Sequence, residues 1–575
     1  MSKSKSAKET KHDSKAEKNE INYSKATVSN NTGNLLTEIA KQLPENEAII
    51  FPHKGKMQGW TYEQLNQTAD AFALAMQKAG VEPGHKALVF LKSGPELIAT
   101  AYALFKLGAL PVMLDPGMGK EKMLNCVRHA APDVFIGIPK AHLARVLNGS
   151  SFKSVKFKFT GSGWFPGAPS LTKLSAPLMG QKFKTHPVNI DDTAAILFTS
   201  GSTGPAKGVV YQHRIFQAQT AALQKMFNFK PGEEIDVPGY PLFALFDVAL
   251  GITAVIPAGI DPSKPADCVP AAVVDTITEF SATMCQGSPT IWGKVGSFCK
   301  ECNIKLPTLK RVITFGAPVS PALLRTWADI LPEDGDVYTP YGATECLPIA
   351  LMRGSDVLKE TAEMTAEGAG TCVGHPALCT KVKIIKITDE PIAELESDML
   401  LPTDQVGEII VHGDVTTQEY YKETEANRLS KIPGKDGRNW HRVGDVGYLD
   451  EKGRLWFCGR KAHRVVTPKT TIFPVMAEGM ANTHPVVRRS AVVGIGKPGA
   501  QEPVLIVEPK PDKMPEEEKK EAVITRQILA RYDDHEKFGE IRQLLYYDSF
   551  PVDPRHNAKI DREELAAWAE QELKS

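Results

Sequence analysis

Charge of either sign is not in excess in this 575-residue chain: Lys plus Arg and Asp plus Glu number 68 each. No global field therefore draws it to nucleic acid or to an anionic membrane, although a local basic groove stays open. Cysteine is scarce. The nine present are odd in number and scattered, which excludes a disulfide framework and fits a reducing interior. Cys299-Lys-Glu-Cys302 has the spacing of a redox or metal pair, but no second pair or His cluster accompanies it, and two half-buried helix positions account for it. Long apolar runs are missing as well. Ile98 to Leu114 is interrupted by Lys106, and Leu242 to Ile260 by Asp247 and Pro257; both are too short for a spanning helix. The first thirty residues carry charges throughout and lack the apolar stretch of a secretory signal. These absences read as a cytoplasmic protein with no transmembrane segment and no nucleic-acid partner.

What is present suits a folded globular chain, with 42% hydrophobic and 24% charged residues. Residues 1–33 are rich in Lys, Ser, Glu and Asn with little to bury, and read as a disordered charged tail. From Asn34 helices alternate with short apolar runs. Thr61-Tyr-Glu-Gln-Leu65 opens an amphipathic helix with Thr61 as N-cap and Gln64 at the capping-box position. Lys86 to Leu91 and Leu110 to Leu114 are strands, and between them a helix runs from Pro95 to Leu107 and ends at Gly108. The rhythm recurs at Ala194–Phe198, Ala282–Gln286 and Val312–Thr314, which makes the fold class α/β. Asp445 to Phe457 reads as a hairpin turning at Asp450–Gly453. Beyond it come strands at Ala491–Gly494 and Val504–Val507 and a charged helical stretch from Pro515, so a second, smaller α+β unit is expected over 461–575, after a large unit over 34–460.

The most informative segment is Ile196-Leu-Phe-Thr-Ser-Gly-Ser-Thr-Gly-Pro-Ala-Lys-Gly-Val-Val210. An apolar run feeds a loop of small and hydroxylated residues carrying one lysine, Lys207. Small residues let backbone N–H groups approach an anion, hydroxyls add donors and the lysine adds a point charge. A phosphate cradle and a polar turn between two strands both fit the loop taken alone. It is not a Walker A loop, because Gly208 follows the lysine where Ser or Thr would hold magnesium.

Further segments stand in a familiar order: Tyr341-Gly-Ala-Thr-Glu345, Gly407-Glu-Ile-Ile-Val-His-Gly413 with Tyr420-Tyr421, Trp440-His-Arg-Val-Gly-Asp445, Gly459-Arg460 and Asn557-Ala-Lys-Ile560. Together with the Thr199–Gly208 loop they resemble the signatures of the acyl-adenylate-forming enzymes, and the resemblance runs from about Leu35 to the C-terminus. It implies a large N-terminal domain and a small mobile C-terminal domain that join a carboxylic acid to the α-phosphate of ATP with Mg²⁺ as cofactor. By the same resemblance Thr199, Ser200, Gly201, Ser202, Thr203, Gly204 and Lys207 would hold the β- and γ-phosphates. Glu345 and the Thr199 hydroxyl would hold the metal. Tyr341, Gly342 and Ala343 would lie against the adenine, with Gly316, Ala317 and Pro318 on its other side. Thr344 would reach the α-phosphate, Asp445 the ribose hydroxyls with Arg460 beside it, and Lys559 would bridge carboxylate and phosphate in catalysis.

Four positions depart from the pattern of thioester-forming members. Ala244 stands where His or an aromatic follows Pro-Leu-Phe, Ala462 stands at the hinge in place of Asp or Lys, Thr470-Thr471 replaces a Gly-Gly segment, and Ala558 replaces the glycine before the lysine. Pro241-Leu-Phe-Ala-Leu-Phe-Asp247, Gly459-Arg-Lys-Ala-His-Arg464 and Arg555-His-Asn-Ala-Lys-Ile560 resemble instead the β-lactone synthetases of long-chain olefin biosynthesis. That resemblance implies a long-chain β-hydroxy acid as substrate, closure by its own hydroxyl, and the pathway's other enzymes as partners. A long-chain fatty acyl-CoA synthetase and an inactive adenylate-binding scaffold are the alternatives.

Overall fold

The computed structural model describes residues 27–199, 206–261, 264–511, 513–514, 517–552 and 559–574. Two large sheets carry most of it. In the six-stranded sheet the order is Phe157–Thr160, Val134–Gly137, Lys86–Phe90, Leu110–Leu114, Thr193–Thr199 and Lys207–Gln212. Its strands are parallel except the last, which returns antiparallel and pairs Thr199 with Lys207. Parallel strands buried on both faces read as continuous apolar runs, which is why Lys86-Ala-Leu-Val-Phe90 shows no alternation.

The connecting helices form where their caps direct. Thr61 accepts from the Gln64 backbone N–H and the Gln64 side chain accepts from Thr61 N–H, so the capping box opens the helix Tyr62–Lys78. Pro95 starts the next helix, which stops at Leu107 because Gly108 turns left-handed at φ 76°. Lys106, which breaks the apolar run in the sequence, lies buried between these two helices. Its Nζ is 2.6 Å from Asp70, and burial holds its pKa below the usual lysine range.

The second sheet has 14 strands. A parallel block of Arg311–Thr314, Met284–Gly287, Ile235–Pro238, Thr253–Val255 and Glu47–His53 adjoins an antiparallel block that holds Asp336–Ala343, Cys346–Arg353, Gly407–Gly413, Asn439–Leu449 and Leu455–Arg460. The expected hairpin is the last of these pairs, with Asp445 opposite Arg460. Beyond Arg460 the strands form sheets of their own: the pair Val465–Val466 with Thr471–Ile472, and the trio Val487–Ile495, Glu502–Pro509 and Gln543–Tyr546. One buried cluster joins the two parts, with Val446, Trp456 and Cys458 packed against Val465, Met476, Leu505, Tyr532 and Phe538.

Two expectations need correction. The expected tail does not extend to residue 33: Thr27 bridges to Val188, the Asn31 side chain donates to His186 O, and Thr32 N–H donates to His213 Nδ1, and residues 31–33 are buried. Long-range side-chain pairing of this kind leaves no trace in local composition. Cys299 and Cys302 are not equivalent half-buried positions either: Cys299 is buried inside the helix Pro289–Glu301, while Cys302 is its exposed C-cap. Among the described residues no helix is long and apolar enough to cross a membrane.

Candidate active site

In an open α/β sheet a site usually lies beyond the carboxyl ends of the strands. The Thr344–Glu345 turn joins the antiparallel strands Asp336–Ala343 and Cys346–Arg353. It is fixed through its backbone: Tyr211 Oη donates to Thr344 O at 2.7 Å, and Thr417 N–H donates to Glu345 O at 2.9 Å. Gly342 admits no larger residue, because a Cβ there would lie 2.8 Å from Leu347 Cδ1 and 2.9 Å from Cys346 O.

The side chains of this region form two linked groups. Tyr341 Oη donates to Asp445 Oδ2 at 2.5 Å, and Arg460 Nη1 donates to Asp445 Oδ1 at 2.6 Å. Asp445 is buried, which pushes its carboxyl above the usual range against the opposing pull of Arg460. Tyr341 is held protonated by burial and by the Asp445 charge. In the second group Tyr420 Oη donates to Glu345 Oε1 at 2.5 Å, and Lys207 Nζ sits 5.2 Å from the Tyr420 ring centroid.

The strand Lys207–Gln212 is tied into this second group. Tyr421 N–H donates to Gly208 O at 2.7 Å, and Val209 bridges to Tyr420. Glycine at 208 has a packing reason, since a Cβ there would lie 2.9 Å from Phe198 Cζ. Beneath Glu345 lies Lys431, whose Nζ donates to Thr417 O at 2.6 Å; burial pulls its pKa down to about 8.

The structure thus brings Lys207, Tyr341, Thr344, Glu345, Asp445 and Arg460 into one neighbourhood. Gly316, Ala317 and Pro318 follow the parallel strand Arg311–Thr314, with Gly316 left-handed at φ 89° and the neighbouring Phe315 ring 4.9 Å from that of Phe243. Ser200, Gly201, Ser202, Thr203 and Gly204 lie outside the described residues, and of Thr199 only the backbone is described. Lys559 is exposed, immediately before the bridge between Val552 and Ile560 and the helix Arg562–Glu572 that Asp561 caps. Burial, with the Arg562 and Arg460 charges, pulls the pKa of His463 down to about 4.

The residues past Arg460 are held to the antiparallel block. Lys461 Nζ is 3.3 Å from Glu408, which is also paired with Arg442 at 2.7 Å. Thr470-Thr471 is part of a closed hairpin: Thr467 Oγ1 donates to Thr470 O at 3.0 Å, Thr470 N–H donates back to Thr467 Oγ1 at 3.0 Å, and Val466 pairs with Thr471. Ala244 is wholly buried at the start of the helix Ala244–Leu250.

Sequence reasoning missed two features. Tyr420 belongs to a quoted motif, but its phenol meets a carboxylate 75 residues away, and no local signal reports that. Asp236 and Asp247 form a pair of buried carboxyl groups under the strand ends, and neither has an ion-pair partner among the described residues. Burial pushes Asp236 well above the ordinary range and Asp247 up to about 7. The signal for Asp247 was its place in an apolar helix, Ala-Leu-Phe-Asp-Val-Ala-Leu.

A single carboxylate, Glu345, beside a loop that would hold the phosphates of a nucleotide fits the donor set of Mg²⁺, which usually takes one or two carboxylates together with substrate phosphates. Among the described residues no group of three or more His, Cys, Asp or Glu offers a protein-only cage.

The family model described as AMP-binding enzyme matches residues 36–421. The chain is 40% identical over 548 residues to an olefin beta-lactone synthetase of Xanthomonas campestris pv. campestris, covering 93% of this chain and 97% of that one. It is 40% identical over 552 residues to the olefin beta-lactone synthetase of Stenotrophomonas maltophilia, covering 94% and 98%. The solved amide bond synthetase McbA from Marinactinospora thermotolerans shares the fold with a TM-score of 0.76, at 22% identity over 94% of this chain and 99% of that one.

Proposed function

The chain belongs to the AMP-binding enzyme family, and from that premise we propose that it activates a long-chain β-hydroxy acid with ATP and closes it to a β-lactone. The 40% identity to two olefin beta-lactone synthetases, over nearly the whole of each chain, carries this reading. In the first step a carboxylate oxygen of the acid forms a bond to the α-phosphorus as the bond to the β-phosphate bridge breaks and pyrophosphate leaves. In the second, the β-hydroxyl oxygen bonds to the acyl carbon, the acyl–phosphate bond breaks, AMP leaves and the hydroxyl proton is released.

Each residue of the site has work in that sequence. Lys207 and the preceding loop neutralise the β- and γ-phosphates, and Tyr341 with the 316–318 loop encloses the base. Asp445, oriented by Tyr341 and Arg460, accepts from the ribose hydroxyls. Glu345 and Thr199 would hold Mg²⁺, which would offset the charge of the triphosphate. Tyr420 is a positioning residue: by engaging Oε1 it fixes the Glu345 carboxylate, whose second oxygen would serve the metal. Lys559, carried on a unit over 461–575 that swings against the unit over 34–460, bridges the carboxylate and the α-phosphate.

The closed Thr467–Thr470 turn supports a reaction with no thiol acceptor. A pantetheine arm needs a passage that two β-carbons and a hydrogen-bonded turn obstruct, whereas an intramolecular hydroxyl needs none and enjoys the effective concentration of a tethered nucleophile. A cytoplasmic setting and partnership with the enzymes that supply the hydroxy acid and consume the lactone complete the reading.

Incubation of the purified protein with ATP and a racemic β-hydroxy fatty acid, without coenzyme A, tests it. AMP release together with a product of the acid's mass less one water is expected. AMP release that requires coenzyme A and gives a thioester would install the acyl-CoA synthetase reading, and absence of ATP–pyrophosphate exchange would install the scaffold.

A further inference from the structure

The balance of charge over the whole chain hides a local imbalance. Residues 134–190 hold eight Lys or Arg and no Asp or Glu. Six of the eight are exposed lysines, and among the described residues only Lys156 is ion-paired, to Asp133 at 3.4 Å. Within this stretch Phe157–Thr160 is the edge strand of the six-stranded sheet.

The same edge exposes apolar side chains that a folded chain ordinarily covers. On the helix Pro139–Leu147, Leu143, Val146 and Leu147 stand at the i, i+3, i+4 spacing of one face and all point outward, Leu147 at 75% exposure. Trp164, also 75% exposed, continues the ridge from the loop after the edge strand. The loop is seated on the helix: a Cβ at Gly163 would lie 3.0 Å from Pro139 Cγ, and the Phe165 ring stacks on His142 with centroids 5.2 Å apart. His142 anchors the helix to the edge strand through Phe159 O at 2.9 Å. Trp164 and Leu174 both line a hollow that Lys173 flanks, and Lys140 lies one turn before Leu143.

We propose that this edge is a docking surface for an anionic lipid bilayer, with Leu143, Leu147 and Trp164 entering the interface and the surrounding lysines meeting the lipid phosphates. An apolar ridge ringed by cations is what an interfacial element requires, since burial of apolar area and attraction to anionic headgroups act together. Lysine stems lie along apolar surface while their ammonium groups reach outward, and tryptophan favours the headgroup level. The alternatives fit less well. A second copy of the chain would bring two unbalanced cationic edges together across a twofold axis, and a nucleic acid would leave the Leu–Trp ridge against phosphates. The surface is separate from the site residues and does not rest on the product assigned above.

The full-length protein should co-sediment with phosphatidylcholine vesicles containing phosphatidylglycerol, bind pure phosphatidylcholine far more weakly, and be released by added salt. Lys140→Gln and Lys173→Gln should each lower the partition coefficient about fivefold, and Leu147→Glu with Trp164→Glu should abolish binding. ATP–pyrophosphate exchange in all these variants should match the parent, which shows that they fold. Failure to bind either vesicle, equal binding to both, or insensitivity to the four substitutions would overturn the proposal. A change of oligomeric mass in the Leu147→Glu, Trp164→Glu protein would assign the edge to self-association, and tighter binding of a DNA duplex than of the anionic vesicles would assign it to nucleic acid.

Discussion

Replacing Tyr420 by Phe isolates a hydrogen bond that orients the candidate metal ligand. Tyr420 Oη donates to Glu345 Oε1 at 2.5 Å from a buried position. The phenol is held protonated far above the ordinary tyrosine range by burial and by the Glu345 charge, so it remains a donor at every working pH. A hydrogen bond to a charged acceptor contributes about 1.5–3 kcal/mol, and loss of a partner that orients a metal ligand typically costs about 10–100-fold in metal affinity. Phenylalanine keeps the ring that packs in the core cluster and that Lys207 approaches at 5.2 Å, so the fold and the cation–ring contact survive. The half-saturating Mg²⁺ concentration in ATP–pyrophosphate exchange should therefore rise about 10–100-fold, with most of the rate recovered at high Mg²⁺. An unchanged Mg²⁺ requirement would refute the positioning role. So would a rate that stays low at saturating metal, because that would place the phenol in the chemistry.

Three further outcomes follow from separate parts of the structure. Lys559→Ala should slow adenylate formation by about 10²–10³ with ATP affinity nearly unchanged, because a charge donor that acts only in the adenylating arrangement stabilises the transition state; exchange near the parent rate would remove Lys559 from the site. Glu408→Gln should destabilise the protein by about 3–5 kcal/mol, since it leaves the buried Arg442 without its carboxylate; denaturant melts within about 1 kcal/mol of the parent would contradict that cost. Asp247→Asn should alter the pH dependence of stability. The native carboxyl keeps its proton up to about pH 7, whereas the unfolded chain releases it near pH 4. The native state then binds more protons between those values, and stability falls as pH rises through that window. The variant lacks this fall, so its melting temperature relative to the parent should climb from pH 4 to pH 7 and then level; parallel curves would show that the group titrates normally.

The parts of this molecule legible in the sequence are those whose cause is local. The capping box at Thr61–Gln64, the stop at Gly108 and the hairpin pairing Asp445 with Arg460 each follow from residues within a few positions of one another. The motifs were legible for a different reason, because fixed residue types at fixed spacing reflect a shared ligand chemistry even where the intervening chain is silent. What escaped was pairing across long separations inside the fold. Lys106 looked like an interruption of an apolar run, and it is an interior cation matched by Asp70. Tyr420 and Glu345 are brought together by strand order, and strand order is not encoded in any window of sequence. The cationic apolar edge shows the same limit from the opposite side. A net charge of +0 is true of the chain, yet residues 134–190 hold eight cations and no anion. Only the packing of Gly163 on Pro139 and of Phe165 on His142 reveals that Trp164 extends the ridge of Leu143 and Leu147 rather than burying it. A surface is a property of neighbours in space, and a charge census taken along the chain cannot report it.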